Sequence, residues 1–187
     1  MRLHWSGLFG FALLSGFLLV TVPAARAAGD ENILKKMDEA KLTLSKAIEA
    51  AESQSRGNAV SAHAKLDGKV LLIMVRSLVG NKCMECIVDA AGKVTMEEAK
   101  GRDPKDDIHA RAAAAVQMME GAKMPLTKAI EAVETHTKGK AVAARCEAES
   151  FEVSCVVESR TMKYTVDKTG KVAEKKADPK KEAPKKP

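Results

Sequence analysis

The chain is poor in aromatic residues. Aromatics make up 3% of its 187 residues: one Trp, one Tyr and four Phe. Trp5, Phe9, Phe11 and Phe17 lie near the N-terminus, leaving Phe151 and Tyr164 for the rest of the chain. Base-stacking platforms and aromatic sugar-binding faces are thereby excluded, and a core must be assembled from Ala, Val, Ile, Leu and Met. Charge of one sign is also missing from the central part. The formal net charge is +6, but Arg2, Arg26 and the terminal segment from Lys175, with its six Lys against Asp178 and Glu182, carry all of that excess. Residues 28–174 balance to zero, so a basic nucleic-acid surface is not expected. Nor does the sequence offer a Gly-rich phosphate loop, a Ser/His/Asp or Cys/His arrangement at a turn, or carboxylates paired beyond helix faces. Glu49 and Glu52 read as solvated acids interleaved with Lys46 and Lys128. The expectation is a protein that is not an enzyme and needs no cofactor.

Long apolar runs are limited to Leu8–Val22. Arg2 precedes that run and Ala25-Arg26-Ala27 follows it, the order of a secretory signal peptide cut before Ala28. The run is short for a membrane-spanning helix, which needs about 20 residues. The protein is therefore expected to be extracytoplasmic, periplasmic or secreted, with no transmembrane segment after cleavage.

What the sequence does contain is a duplication. LSKAIEAAESQSRGNAV (Leu44–Val60) returns as LTKAIEAVETHTKGKAV (Leu126–Val142), and CIVDAAGKV (Cys86–Val94) returns as YTVDKTGKV (Tyr164–Val172). The first match is offset by 82 residues and the second by 78, too long for a solenoid, whose period runs about 20–50 residues. Leu44, Ala47, Ile48 and Ala51 fall at helical spacing on one apolar face, as do Leu126, Ala129, Ile130 and Val133. Gly57 and Gly139 stand where a helix C-terminal glycine belongs. Strands follow over Asn58–Leu66, Lys69–Val79, Lys82–Asp89 and Lys93–Met96, and again over Lys140–Ala148, Phe151–Glu158, Thr161–Asp167 and Lys171–Glu174. Leading helical segments, Glu31–Lys41 and Asp106–Lys123, precede each copy. The expected fold is α+β: two repeats, each a helix packed on a small antiparallel β-meander, with an extra leading helical segment. The expected organisation is a signal peptide at 1–27, repeats at 28–100 and 108–174, a linker at 101–107 and a Lys/Pro-rich tail at 175–187 that is extended and mobile. Units of this size are marginal alone, so the two should pack together or lean on a partner or disulfide.

The helix carrying AIEAAE or AIEAVE, the strands after it and the closing VDAAGKV or VDKTGKV resemble the PepSY domain family, over about Leu42–Met96 and Met124–Glu174. The closing signature places Asp89, Gly92, Asp167 and Gly170 in a tight turn between the last two strands, a structural role. The resemblance implies an extracytoplasmic module that binds or restrains other proteins, peptidases included, without catalytic residues of its own. It departs from the family pattern at Cys86, which stands where the second copy has Tyr164.

Four cysteines sit in a compartment that permits disulfides. With a hairpin turn at Ser150-Phe151, Cys146 and Cys155 would face each other across adjacent strands, within disulfide reach; two buried thiols is the alternative. Cys83 and Cys86 form a CxxC that no His follows. A structural pair, a metal or redox site and an intermolecular linkage all remain open for it. Met74, Met84, Met96, Met118, Met119, Met124 and Met162 are more simply core filler than soft copper ligands. The leading functional expectation is therefore an exported protein that binds another protein and modulates or inhibits a peptidase. The alternative is a thiol-based metal or redox protein using the CxxC. The tail is expected to touch an anionic wall or membrane surface, or only to solubilise.

Overall fold

The computed structural model describes residues 24–100 and 107–175, with side chains from Gly29 onward in the first helix. The expected signal peptide up to residue 23, the linker at 101–106 and the tail from 176 lie outside the described residues. Four helices and eight strands follow in the order α1 (Ala24–Ala40), α2 (Leu44–Ser55), β1 (Asn58–Asp67), β2 (Val70–Val79), β3 (Lys82–Asp89), β4 (Val94–Glu98), α3 (Ile108–Ala122), α4 (Leu126–Thr137), β5 (Lys140–Cys146), β6 (Phe151–Val157), β7 (Arg160–Val166) and β8 (Val172–Glu174). The protein is α+β, with all eight strands antiparallel in one sheet of order β4-β3-β2-β1-β5-β6-β7-β8.

The helices form for local reasons. Thr43 Oγ1 accepts from the Lys46 amide at 3.2 Å and caps α2, satisfying one orphan donor of the first turn. Asp107 does the same for α3 through the Ala110 amide at 2.9 Å. The C-terminal ends correct the expectation for glycine. The left-handed residues that stop α2 and α4 are Arg56 (φ 55°) and Lys138 (φ 59°), one position earlier than the glycines. Gly57 and Gly139 are required for another reason. A Cβ at these positions would lie 2.4 Å from Leu78 O and 2.5 Å from Val156 O. Glycine lets the helix-to-strand connection pass directly over the neighbouring strand's backbone.

The sheet joins at β1 and β5, where Ser61 faces Arg145, Ala62 faces Ala144 and His63 faces Ala143. Residues 61–63 and 143–145 are equivalent under the 82-residue offset. The offset sends the pair Ser61–Arg145 onto Ala143–His63, and Ala62–Ala144 onto itself. An approximate two-fold axis therefore passes through the Ala62–Ala144 pair. Each of these two strands carries a register shift at the equivalent place, between Ala59 and Ser61 and between Ala141 and Ala143.

The acids at the ends of α2 and α4 hold these irregularities. Glu52 Oε1 accepts from the Ala59 amide and Glu134 Oε1 from the Ala141 amide, each at 2.8 Å. Glu52 is thus not the solvated acid expected from the helix pattern. Its carboxyl is pushed up by burial, against the lowering effect of the Ala59 bond.

The core lies largely between the sheet and the helices α2 and α4. Leu44, Ala47, Ile48 and Ala51 of α2 pack with Ile73, Val75, Cys86 and Val88, while Leu126, Ala129, Ile130 and Val133 of α4 pack with Phe151, Val153, Cys155 and Val166. Burying each Leu, Ile, Val or Phe side chain among them is worth about 1.5–3 kcal/mol. The leading helices cross over. α1 contacts β5 and β7 as well as β1 and β2, with Asp38 paired to Lys140 and Asp30 accepting from Thr161 Oγ1. α3 lies over β1–β3; its His109 Nδ1 accepts from the Cys83 amide at 3.0 Å. Each leading helix thus braces strands of the other half of the chain.

Asp89 and Asp167 build the β3–β4 and β7–β8 turns. Asp89 Oδ1 accepts from the amides of Ala91 (2.9 Å) and Lys93 (3.0 Å), and Asp167 Oδ1 from those of Thr169 (2.8 Å) and Lys171 (3.1 Å). Gly92 and Gly170 follow with φ of 80° and 86°, the left-handed region that glycine enters without strain. The Asp167 carboxyl is held below its ordinary value by the Thr169 hydroxyl and then by the Lys171 and Thr169 amides.

Candidate functional site: the open face of the sheet

Alternation along the strands separates two faces. Ile73, Val75, Cys86, Val88, Phe151, Val153 and Val166 are fully buried under the helices. Their neighbours Leu72, Met74, Arg76, Glu85 and Ile87 are half-buried, and His63, Arg145 and Lys163 are exposed. The register carries two rows across this second face. One runs Thr95, Ile87, Met74, His63, Ala143, Ser154, Lys163. The other runs Glu97, Glu85, Arg76, Ser61, Arg145, Glu152, Thr165. The two-fold axis exchanges the rows, so each position of one half has a counterpart in the other.

The charges on this face are organised differently in the two halves. In the second half Glu152 is buried, 7% exposed, beneath three cations. Arg145 Nη2 lies 3.2 Å and Lys163 Nζ 3.6 Å from Glu152 Oε1, and Lys175 pairs with Oε2. Burial raises the Glu152 carboxyl, but the Lys175 bond and the Arg145 and Lys163 charges outweigh it and hold it below its ordinary value. In the first half the counterpart of Glu152 is Met74, and Arg76 Nε pairs with Glu85 Oε2 across β2 and β3 at 3.3 Å. A groove of about 400 Å³ opens there, lined by His63, Lys65, Met74, Arg76, Glu85 and Glu97 among others. A broader depression of about 550 Å³ lies between α4 and the β7–β8 turn, beside Lys128, Glu131, His136 and Val172.

The cysteines do not assemble into a site. All four are free. Cys146 faces Phe151 and Cys155 faces Ala141, because the hairpin turns through Glu147–Ser150, closed by the Glu147 amide to Ser150 O at 2.8 Å. The turn at Ser150-Phe151 that would have opposed the two thiols does not form. Cys146 Sγ instead meets Ala115 O at 3.3 Å and Cys155 Sγ meets Thr137 Oγ1 at 3.5 Å. Cys83 and Cys86 lie in a regular stretch of β3, opposite Leu78 and Val75. Three residues apart in a strand, they point to opposite faces about 10 Å apart, so the two thiols do not converge in this arrangement. Burial pushes all four thiols up, Cys146 to about 11, which keeps them protonated and poorly nucleophilic at neutral pH. No group of three or more His, Cys, Asp or Glu suited to a metal occurs among the described residues.

The residues that sequence reasoning missed are Arg76, Ser61 and Arg145, which share a row only because β1 pairs with β5. No local pattern signals that pairing. Among the described residues no helix is long and apolar enough to cross a membrane. No protein-family model matches the chain, and no curated protein matches it. A solved structure of a Clostridium difficile 630 protein, provisionally called a lipoprotein, is similar over 69% of this chain and 90% of that one, with 15% identity and a TM-score of 0.39.

Proposed function

We propose that this is an exported, non-catalytic binding protein of the PepSY type, built from two helix-on-meander repeats, that docks another protein on the open face of its sheet. The observation that carries the reading is that face itself. It spans both halves, mixes half-buried Leu72, Met74 and Ile87 with charged side chains, and carries a groove of about 400 Å³. Protein interfaces have this composition: apolar patches with Arg anchors and a polar rim. A peptidase is the favoured class of partner, because the duplicated AIEA and VD signatures resemble modules that restrain peptidases. The Lys/Pro-rich tail adds a salt-sensitive contact to anionic surfaces.

Affinity capture with the exported form of the protein, from the extracytoplasmic fraction of its host, should return a discrete partner. If that partner is a peptidase, the purified protein should slow it. Recovery of no specific partner, together with no effect on any exported peptidase, contradicts the proposal.

A further inference from the structure

The middle of the open face has a composition of its own. In one row Arg76, Ser61 and Arg145 are successive neighbours on β2, β1 and β5. Strands lie about 4.8 Å apart, so the two arginine backbones stand about 10 Å from each other across a serine. Their neighbours in the adjacent row are Met74, His63 and the small Ala143. The short Ser61 side chain thus stands between an arginine from each half of the chain.

Both arginines are aimed by glutamates. Arg76 binds Glu85 through Nε. Arg145 binds Glu147 through Nε at 2.6 Å and Glu152 through Nη2. The Arg76 side chain remains 36% exposed and that of Arg145 54% exposed. Among the described residues Arg76 pairs with Glu85 through Nε, and a guanidinium held that way keeps a second planar edge formed by its two Nη donors. That planar pair of donors matches a carboxylate.

The charge balance points the same way. Glu85 and Glu152 are already neutralised by their cations, and Glu147 by Arg145. Lys65 and Lys100, beside Arg76 in the groove, have no ion-pair partner among the described residues, against Glu97 alone on the acidic side. The surplus is positive. The second half also shows what its own cations gather around: a single glutamate carboxylate. Resting on the protein-binding reading above, we infer that the Arg76–Ser61–Arg145 row seats an acidic side chain, aspartate or glutamate, on the partner protein.

The test is an NMR titration of the isotopically labelled exported protein with a capped peptide bearing one glutamate, and with the same peptide bearing lysine instead. The glutamate peptide should shift the Arg76 Nε and the Ser61 and Ala143 amides, less so at higher salt, and the lysine peptide should not. Arg76→Gln should weaken the response at least about fivefold, the loss of one charge-assisted pair. Ser61→Glu places a carboxylate between the arginines and should abolish the response in a folded protein. Equal responses to both peptides, or shifts centred along α4, overturn the inference. Capture of a native partner that survives Ser61→Glu also overturns it while leaving the protein-binding reading intact. A seat that forms for the peptide when no partner is ever captured has the opposite meaning.

Discussion

The two halves of this molecule follow the same order of elements and differ in what they bury. On the helix side, Phe151, Cys155 and Tyr164 of the second half stand where the first half has Ile73, Ser77 and Cys86. The second half is the bulkier, and its Cys155 thiol reaches the Thr137 hydroxyl. In the first half Ser77 Oγ is fully buried without a hydrogen-bond partner among the described residues, although the Cys86 thiol is near enough for Ser77 and Ser55 to lower it against the stronger upward push of burial. On the open side, the buried Glu152 and its three cations face, across the two-fold axis, Met74 and a groove. At the two sheet edges Glu174 stands where the first half has Met96, which is 40% exposed. In the second half three cations gather on the buried Glu152, whereas the first half keeps a groove beside Arg76.

That contrast can be broken in several ways. The largest effect is expected from core truncation. Phe151→Ala should cost about 4 kcal/mol and Ile73→Ala about 3 kcal/mol, read by urea denaturation. A reversed order would mean that the second half is not the better packed. Next come the shared glutamates. Glu134→Gln and Glu52→Gln should each cost about 1–2 kcal/mol through loss of a charge-assisted bond to a bulge amide. Because the two bonds have the same length, the costs should be similar, and a large inequality would break the equivalence of the halves. Ser77→Ala should do the opposite and stabilise by about 1 kcal/mol, since it removes a buried hydroxyl that lacks a partner.

The smallest effect concerns pH. Glu152 has its folded pKa depressed, so its contribution is present above the unfolded carboxylate pKa, near 4.3, and is lost as pH falls through the lower folded value. Stability measured from neutral pH downward should therefore fall less steeply in Glu152→Gln than in the parent. Met74→Gln, at the equivalent position, should leave the acid limb unchanged.

Much of the fold was legible because the duplication supplies its own alignment. The apolar spacing of Leu44, Ala47, Ile48 and Ala51, the strand alternation and the Asp-Gly turns are local signals, and each occurs twice. What depended on register was not legible. Cys146 and Cys155 do not oppose each other because the four-residue turn at Glu147–Ser150 moves the pairing frame, and no residue type in that segment dictates its length. Gly57 and Gly139 have the sequence context of helix stops, but the constraint on them comes from strands about 20 residues away in sequence. Glu52 and Glu134 have the spacing of solvated acids because a helical pattern cannot reveal a bulge amide beyond the helix end. The row through Arg76, Ser61 and Arg145 needs the β1–β5 junction, a contact between residues about 80 positions apart in the chain.

The central claim is that the open face is where this protein meets its partner. It is tested most directly by measuring, by calorimetry, the affinity of the captured partner for the parent protein, for Ser61→Glu on the open face and for Lys46→Glu on the helix side. The account predicts at least a tenfold loss for Ser61→Glu, about 1.4 kcal/mol, and an unchanged affinity for Lys46→Glu. Loss of binding in Lys46→Glu with full affinity in Ser61→Glu would contradict it.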